Sequence, residues 1–94
     1  MEYTITITGR GGHGSRPDNA INPINCFAAI HTALRAQGYA PIRVDGGTSG
    51  NIIPNTVTFI CMFPGSREIL EQVVHHTCSA FRCAANIQEN ESTV

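Results

Sequence analysis

Threonine and apolar residues alternate without a break from Tyr3 to Thr8. Tyr3, Ile5 and Ile7 fall on one side, and Thr4, Thr6 and Thr8 on the other. A second such run, Thr56 to Phe63, gathers Val57, Phe59, Cys61 and Phe63 on one face. Period two marks a strand with a single buried face. Strands covered on both sides would read as continuously apolar, so the alternation points to an antiparallel or mixed sheet with one side against a core. A chain of 94 residues has room for one such core.

The partners of that face are two amphipathic helices. The first is expected to start near Asn22-Pro23, with Asn22 as N-cap and Pro23 in the first turn. Ile24, Phe27, Ile30 and Leu34 recur at helical spacing, and Gly38 is a natural stop. The second helix follows the Pro64-Gly65 turn. Ser66 caps it, and Leu70, Val73, Val74, Thr77, Phe81 and Ala84 form its inner stripe, so its end is expected near Ala85-Asn86. A short strand spans Pro41 to Asp45, with Ile42 and Val44 on one face and Arg43 and Asp45 on the other. A polar final strand is expected over Ile87 to Val94. The order is β-α-β-β-α-β. This is an α+β, ferredoxin-like sandwich: a four-stranded antiparallel sheet with two helices on one face.

Composition narrows the function. All six basic residues are arginine, seven acids offset them, and the net charge is −1, so no broad basic surface exists for a polyanion. No nucleic-acid partner is expected. No apolar run approaches the ~20 residues of a membrane span, and the first residues have neither the basic start nor the apolar stretch of a signal peptide. No membrane partner and a cytoplasmic location are expected. The four cysteines form no Cys-x-x-Cys pair and read as reduced, packed thiols. Charged residues make up only 14% of the chain, which suggests that part of its surface is covered by other protein.

Two glycine-rich loops hold the residues with chemical potential. The first, Gly9 to Asp18, contains a literal Gly-x-Gly-x-x-Gly at Gly9, Gly11 and Gly14. A dinucleotide site needs that pattern to open directly into a helix, and here the helix waits until Asn22, so the match is coincidental. His13 sits among these glycines, where it is open to a ligand and able to exchange a proton near neutral pH, or is simply a solvated loop residue. The second loop runs Gly46-Gly47-Thr48-Ser49-Gly50-Asn51. The Asn51 amide offers both donors and an acceptor to a ligand, and asparagine also serves as an ordinary turn residue. His75 and His76 are adjacent on the second helix and project about 100° apart, which rules out a shared metal. Neither they nor His31 has a partner at ligand spacing, and no metal site is expected in this domain.

Together the loops are more specific than either alone. Ile7-Thr8-Gly9-Arg10-Gly11-Gly12-His13-Gly14-Ser15-Arg16-Pro17-Asp18, then Ala20-Ile21-Asn22-Pro23-Ile24, followed by Gly46-Gly47-Thr48-Ser49-Gly50-Asn51-Ile52-Ile53-Pro54, resembles the dimerisation, or lid, domain of a metallopeptidase family. The family it resembles is that of the zinc-dependent aminoacylases, carboxypeptidases G and amidohydrolases, and within it the N-acyl-amino-acid amidohydrolases and hippurate hydrolases. The resemblance covers nearly the whole chain and implies the same sandwich. It also implies that residues 1–94 are a single lid domain excised from a larger hydrolase and inactive alone. The divalent metal, zinc, would belong to the parent catalytic domain, and no cofactor to this one.

The resemblance further implies that His13 reaches into the partner subunit's active site and stabilises the oxyanion of the tetrahedral intermediate. Asn51, with Gly47 beside it, would bind an N-acyl amino acid or peptide substrate. The homodimer would form through strand 41–45 and the first helix, and proline at Arg43 would remove a donor from that edge. In many relatives an arginine that can bind the substrate carboxylate ends the strand after the Asn-x-x-Pro motif, and here Pro64 stands at that place. The competing reading is a free-standing ferredoxin-like module that binds a small regulatory ligand.

Overall fold

The computed structural model describes residues 1–47 and 50–91. Thr48 and Ser49 of the second loop, and positions 92–94 of the expected last strand, lie outside the described residues. The main strands are β1 (Glu2–Thr8), β3 (Ala40–Gly46), β5 (Thr56–Met62) and β6 (Ala84–Glu89), and the helices are α1 (Pro23–Leu34) and α2 (Arg67–Ala80). The sheet runs β3-β5-β1-β6 with every neighbour antiparallel, the strand order of the ferredoxin-like sandwich. Two further strands, β2 (Gly12–His13) and β4 (Ile52–Ile53), pair in a small sheet of their own. That pairing was not expected from either loop.

The core follows the period-two pattern. Tyr3, Ile5, Ile7, Phe59, Cys61 and Phe63 are buried against Cys26, Ile30 and Leu34 of α1 and Leu70, Val74 and Cys78 of α2. Asn22 Oδ1 accepts from the Ile24 N–H at 3.0 Å, and Pro23 opens α1. Ile24 is exposed and is not part of the inner stripe, and Cys26 takes that inward position. Phe27 is half-buried and packs edge-on against Phe59 at 4.9 Å between ring centroids.

The second helix ends earlier than its sequence suggests. Cys83 N–H bonds the Cys78 carbonyl at 2.8 Å and Arg82 N–H bonds that of Ser79 at 3.2 Å, with Arg82 in the left-handed conformation at φ 58°. This is a Schellman stop with arginine where glycine is usual. Phe81 and Ala84 therefore leave the inner stripe and are exposed, and the last strand begins at Ala84, three residues ahead of its expected start at Ile87. Cys83 lies beyond the helix rather than on it.

The two sheet edges differ. Phe63 N–H bonds the Met1 carbonyl, so odd positions of β5 bond to β1 and its even positions, Thr58, Ile60 and Met62, bond to β3. Their partners on β3 are Asp45, Arg43 and Ala40, so Arg43 N–H faces inward and Val44 N–H faces the free edge. Proline at Arg43 would break the internal ladder, and Val44 is the position that tests the edge. A bulge between Pro41 and Arg43 makes Ile42 the extra residue, and Arg43 and Asp45 share the open face in a 2.7 Å ion pair. All seven residues of β3 are exposed.

On the other side, Asn90 N–H bonds the Glu2 carbonyl, which turns the Ile87 carbonyl outward. The Arg67 guanidinium donates to that carbonyl at 2.9 Å.

All four cysteines are free thiols. Burial pushes the Cys61 thiol up to about 11, and Cys26 and Cys78 upward as well, so these groups stay protonated and behave as small apolar residues. His31 Nδ1 lies 3.3 Å from the Tyr39 hydroxyl, a structural contact, and His75 and His76 are exposed.

Candidate functional site

The first glycine loop is a folded-back strap rather than an open coil. Arg10 and Ile21 exchange both backbone hydrogen bonds at 2.8 Å and close its stem. The Arg10 guanidinium donates to the Asn19 carbonyl at 3.2 Å. His13 lies in β2 near the tip, opposite Ile52 of β4, and Gly14 N–H donates to the Asn51 carbonyl at 2.7 Å. The two loops are thus joined backbone to backbone, with His13 facing Ile52 and the next residue, Gly14, bonded to Asn51. His13 and Asn51 are both exposed.

Asn55 holds the base of this ribbon. Its backbone carbonyl accepts from Gly9 N–H at 2.8 Å and its side-chain Oδ1 accepts from Gly11 N–H at 2.9 Å. The glycine spacing that imitates a dinucleotide fingerprint has a packing cause. A Cβ on Gly9 would fall on the Ile21 carbonyl oxygen, and one on Gly11 on the Ile53 carbonyl oxygen. Asn55 was not singled out from the sequence. The available signal was an asparagine directly after the Pro54 that closes the second loop.

His13 is itself held. Ser15 N–H donates to His13 Nδ1 at 3.1 Å, and Ser15 Oγ lies 2.7 Å from the same nitrogen. Ser15 too was overlooked, although a hydroxyl two residues beyond a loop histidine is a local hydrogen-bonding pattern. Gly47, in the left-handed conformation at φ 89°, lines a hollow of about 240 Å³ together with Ile52, Ile53, Pro54, Asn55 and Thr56. His13 and Asn51 are not among the residues that line this hollow.

Arg67 is the first residue of α2. It donates to the Ile87 carbonyl at 2.9 Å and sits 3.8 Å from Glu71 on the same helix. Among the described residues, no group of three or more His, Cys, Asp or Glu could hold a metal ion. No described helix is long and apolar enough to cross a membrane.

The comparisons with known proteins agree with this architecture. The chain is 28% identical to a hippurate hydrolase of Campylobacter jejuni subsp. jejuni, over 92% of this chain and 26% of that protein. It is 24% identical to IAA-amino acid hydrolase ILR1-like 2 of Arabidopsis thaliana, over 90% of this chain and 23% of that protein. The fold matches that of a protein from methicillin-resistant Staphylococcus aureus, provisionally named an aminohydrolase. The TM-score is 0.82 and the identity 16%, over 93% of this chain and 27% of that one. The chain thus spans about a quarter of the length of the relatives it matches. Residues 1–81 match the family model described as the peptidase dimerisation domain, and the chain belongs to that family.

Proposed function

We propose that residues 1–94 are the dimerisation and lid domain of a metal-dependent hydrolase acting on N-acyl amino acids or related amides, and that His13 works in the active site of the partner subunit. The observation that supports this reading is the backbone joint between the two glycine loops, which sets His13 opposite Ile52 and bonds Gly14 to Asn51, so that both loops meet at one exposed tip. Hydrolysis of an amide passes through a tetrahedral intermediate whose oxygen gains negative charge. A preorganised N–H aimed at that oxygen lowers the barrier, and the His13 imidazole can supply it. The Asn51 amide has the donors and acceptor to hold the substrate's own amide. Both named relatives are hydrolases whose names denote an amino acid carrying an acyl group. The metal would be held by the catalytic domain of the complete enzyme. A free-standing regulatory module is not favoured, since the relatives are about four times as long as this chain.

The test is an assay of the complete hydrolase that contains this segment against a panel of N-acyl amino acids. Turnover of at least one, abolished by a metal chelator and restored by divalent metal, is the expected result. Chelator-insensitive turnover or a panel without a substrate would overturn it.

The dimer is assigned to the β3 edge and the adjoining flank of α1. β3 presents an unpaired edge with Ile42 and Val44 exposed at 57% and 46%, and on α1 Ile24 is exposed at 43%. Unpaired strand edges bearing apolar residues invite a second strand. Val44→Pro removes an outward donor and should raise the dimer dissociation constant at least tenfold. Ile42→Lys should do the same by placing charge at the edge. Sedimentation of both variants, with unchanged circular dichroism, is the measurement. Wild-type association in both would move the interface elsewhere.

A further inference from the structure

A histidine among glycines would ordinarily sample both neutral tautomers and many ring orientations. His13 does not, because its Nδ1 is engaged by Ser15. A backbone N–H can only donate, so the 3.1 Å bond from Ser15 N–H requires Nδ1 to offer its lone pair. A neutral imidazole with a bare Nδ1 carries its proton on Nε2. The Ser15 hydroxyl, 2.7 Å from the same nitrogen, then donates as well. The turn that presents Ser15 is pinned on both sides, by Arg16 N–H on the His13 carbonyl at 2.9 Å and by Gly14 N–H on the Asn51 carbonyl at 2.7 Å.

We infer that Ser15 is a positioning residue that fixes His13 as the Nε2–H tautomer and turns that N–H outward as a hydrogen-bond donor. The inference deepens the reading of His13 as an oxyanion donor and, in its consequence for catalysis, rests on it. The opposite tautomer would present a lone pair to a negatively charged oxygen and repel it. A loop that holds Nδ1 as acceptor therefore suits a ligand oxygen that gains charge, and would not suit a base that must accept a proton at Nε2.

The experiment has two independent readouts. In the ¹⁵N-labelled chain at about pH 8, above the usual histidine pKa, two-bond ¹H–¹⁵N correlations report which ring nitrogen carries the proton. His13 should show a pyridine-type Nδ1 and a protonated Nε2. Ser15→Ala keeps the backbone donor and loses the hydroxyl, so its Nδ1 signal should move toward that of free imidazole, and Ser15→Thr should restore it. In the complete hydrolase, Ser15→Ala should lower kcat about fivefold, the worth of one net hydrogen bond, with KM unchanged and activity recovered in Ser15→Thr. A proton on Nδ1 in the unaltered chain, or a Ser15→Ala spectrum identical to it, overturns the assignment. If kcat is indifferent to loss of the His13 imidazole, the oxyanion reading falls, and the nitrogen spectrum alone still decides whether Ser15 sets the tautomer.

Discussion

Replacing His13 by alanine in the complete hydrolase should lower kcat by about a hundred- to a thousand-fold, the usual cost of one oxyanion donor. KM should change far less, because the lost interaction belongs to the transition state more than to bound substrate. Stability should barely respond, since His13 is exposed and none of its contacts reaches the core. The same variant tests whether the residue acts across the dimer. It should be mixed with a subunit whose own catalytic domain is inactivated. Each mixed dimer then joins one intact catalytic domain to one intact His13 loop. At equal mixing half the dimers are mixed and half their sites are competent, so about a quarter of the wild-type activity should return. Subunit exchange without any recovery would show that His13 does not serve the neighbouring site. A kcat within about twofold of wild type would show that it is an ordinary loop residue, since loss of a working oxyanion donor costs far more.

The largest effect on stability is expected at Phe59. It is fully buried on β5, with β1 and β3 on either side and the Phe27 ring edge-on above it at 4.9 Å. Phe59→Ala should cost about 3–5 kcal/mol, from lost transfer energy and the cavity left behind. Domains of this size have total stabilities of about 5–15 kcal/mol, so the variant should be partly unfolded or close to it. Urea unfolding followed by circular dichroism measures this. Phe27→Ala, at a half-buried position, should lose less. Equal losses at the two sites would mean that the α1 flank contributes as much as the sheet centre.

The sheet and helices were legible because burial imposes a period. Tyr3, Ile5 and Ile7 alternate since every second residue faces α1 and α2, and the same holds for Val57, Phe59 and Cys61. Where the period met no geometric stop, the reading overran. Phe81 and Ala84 continue the apolar spacing of α2, yet Arg82 in a left-handed conformation ends the helix without the glycine that would signal it. Cys26 and Ile24 are both apolar and two apart, and spacing alone put the wrong one inside. His13 and Asn51 were recognised through the resemblance of their loops. The joint between the loops was not legible, because a two-residue strand has no period and its partner lies 39 positions away, from His13 to Ile52. Ser15 and Asn55 were missed for a related reason: each acts through hydrogen bonds to particular atoms, which composition and spacing do not record.

The Arg67 guanidinium on the Ile87 carbonyl has a bearing on assembly size. A sheet open on both sides adds neighbours without end and grows into a filament. In this domain the β6 side is blunted by its own arginine, while the β3 side stays available. If two copies join at β3 about a twofold axis, as proposed above, each outer end of the shared sheet carries this capped carbonyl, which works against further strand addition there. On that arrangement one side chain would favour a closed pair over an open polymer.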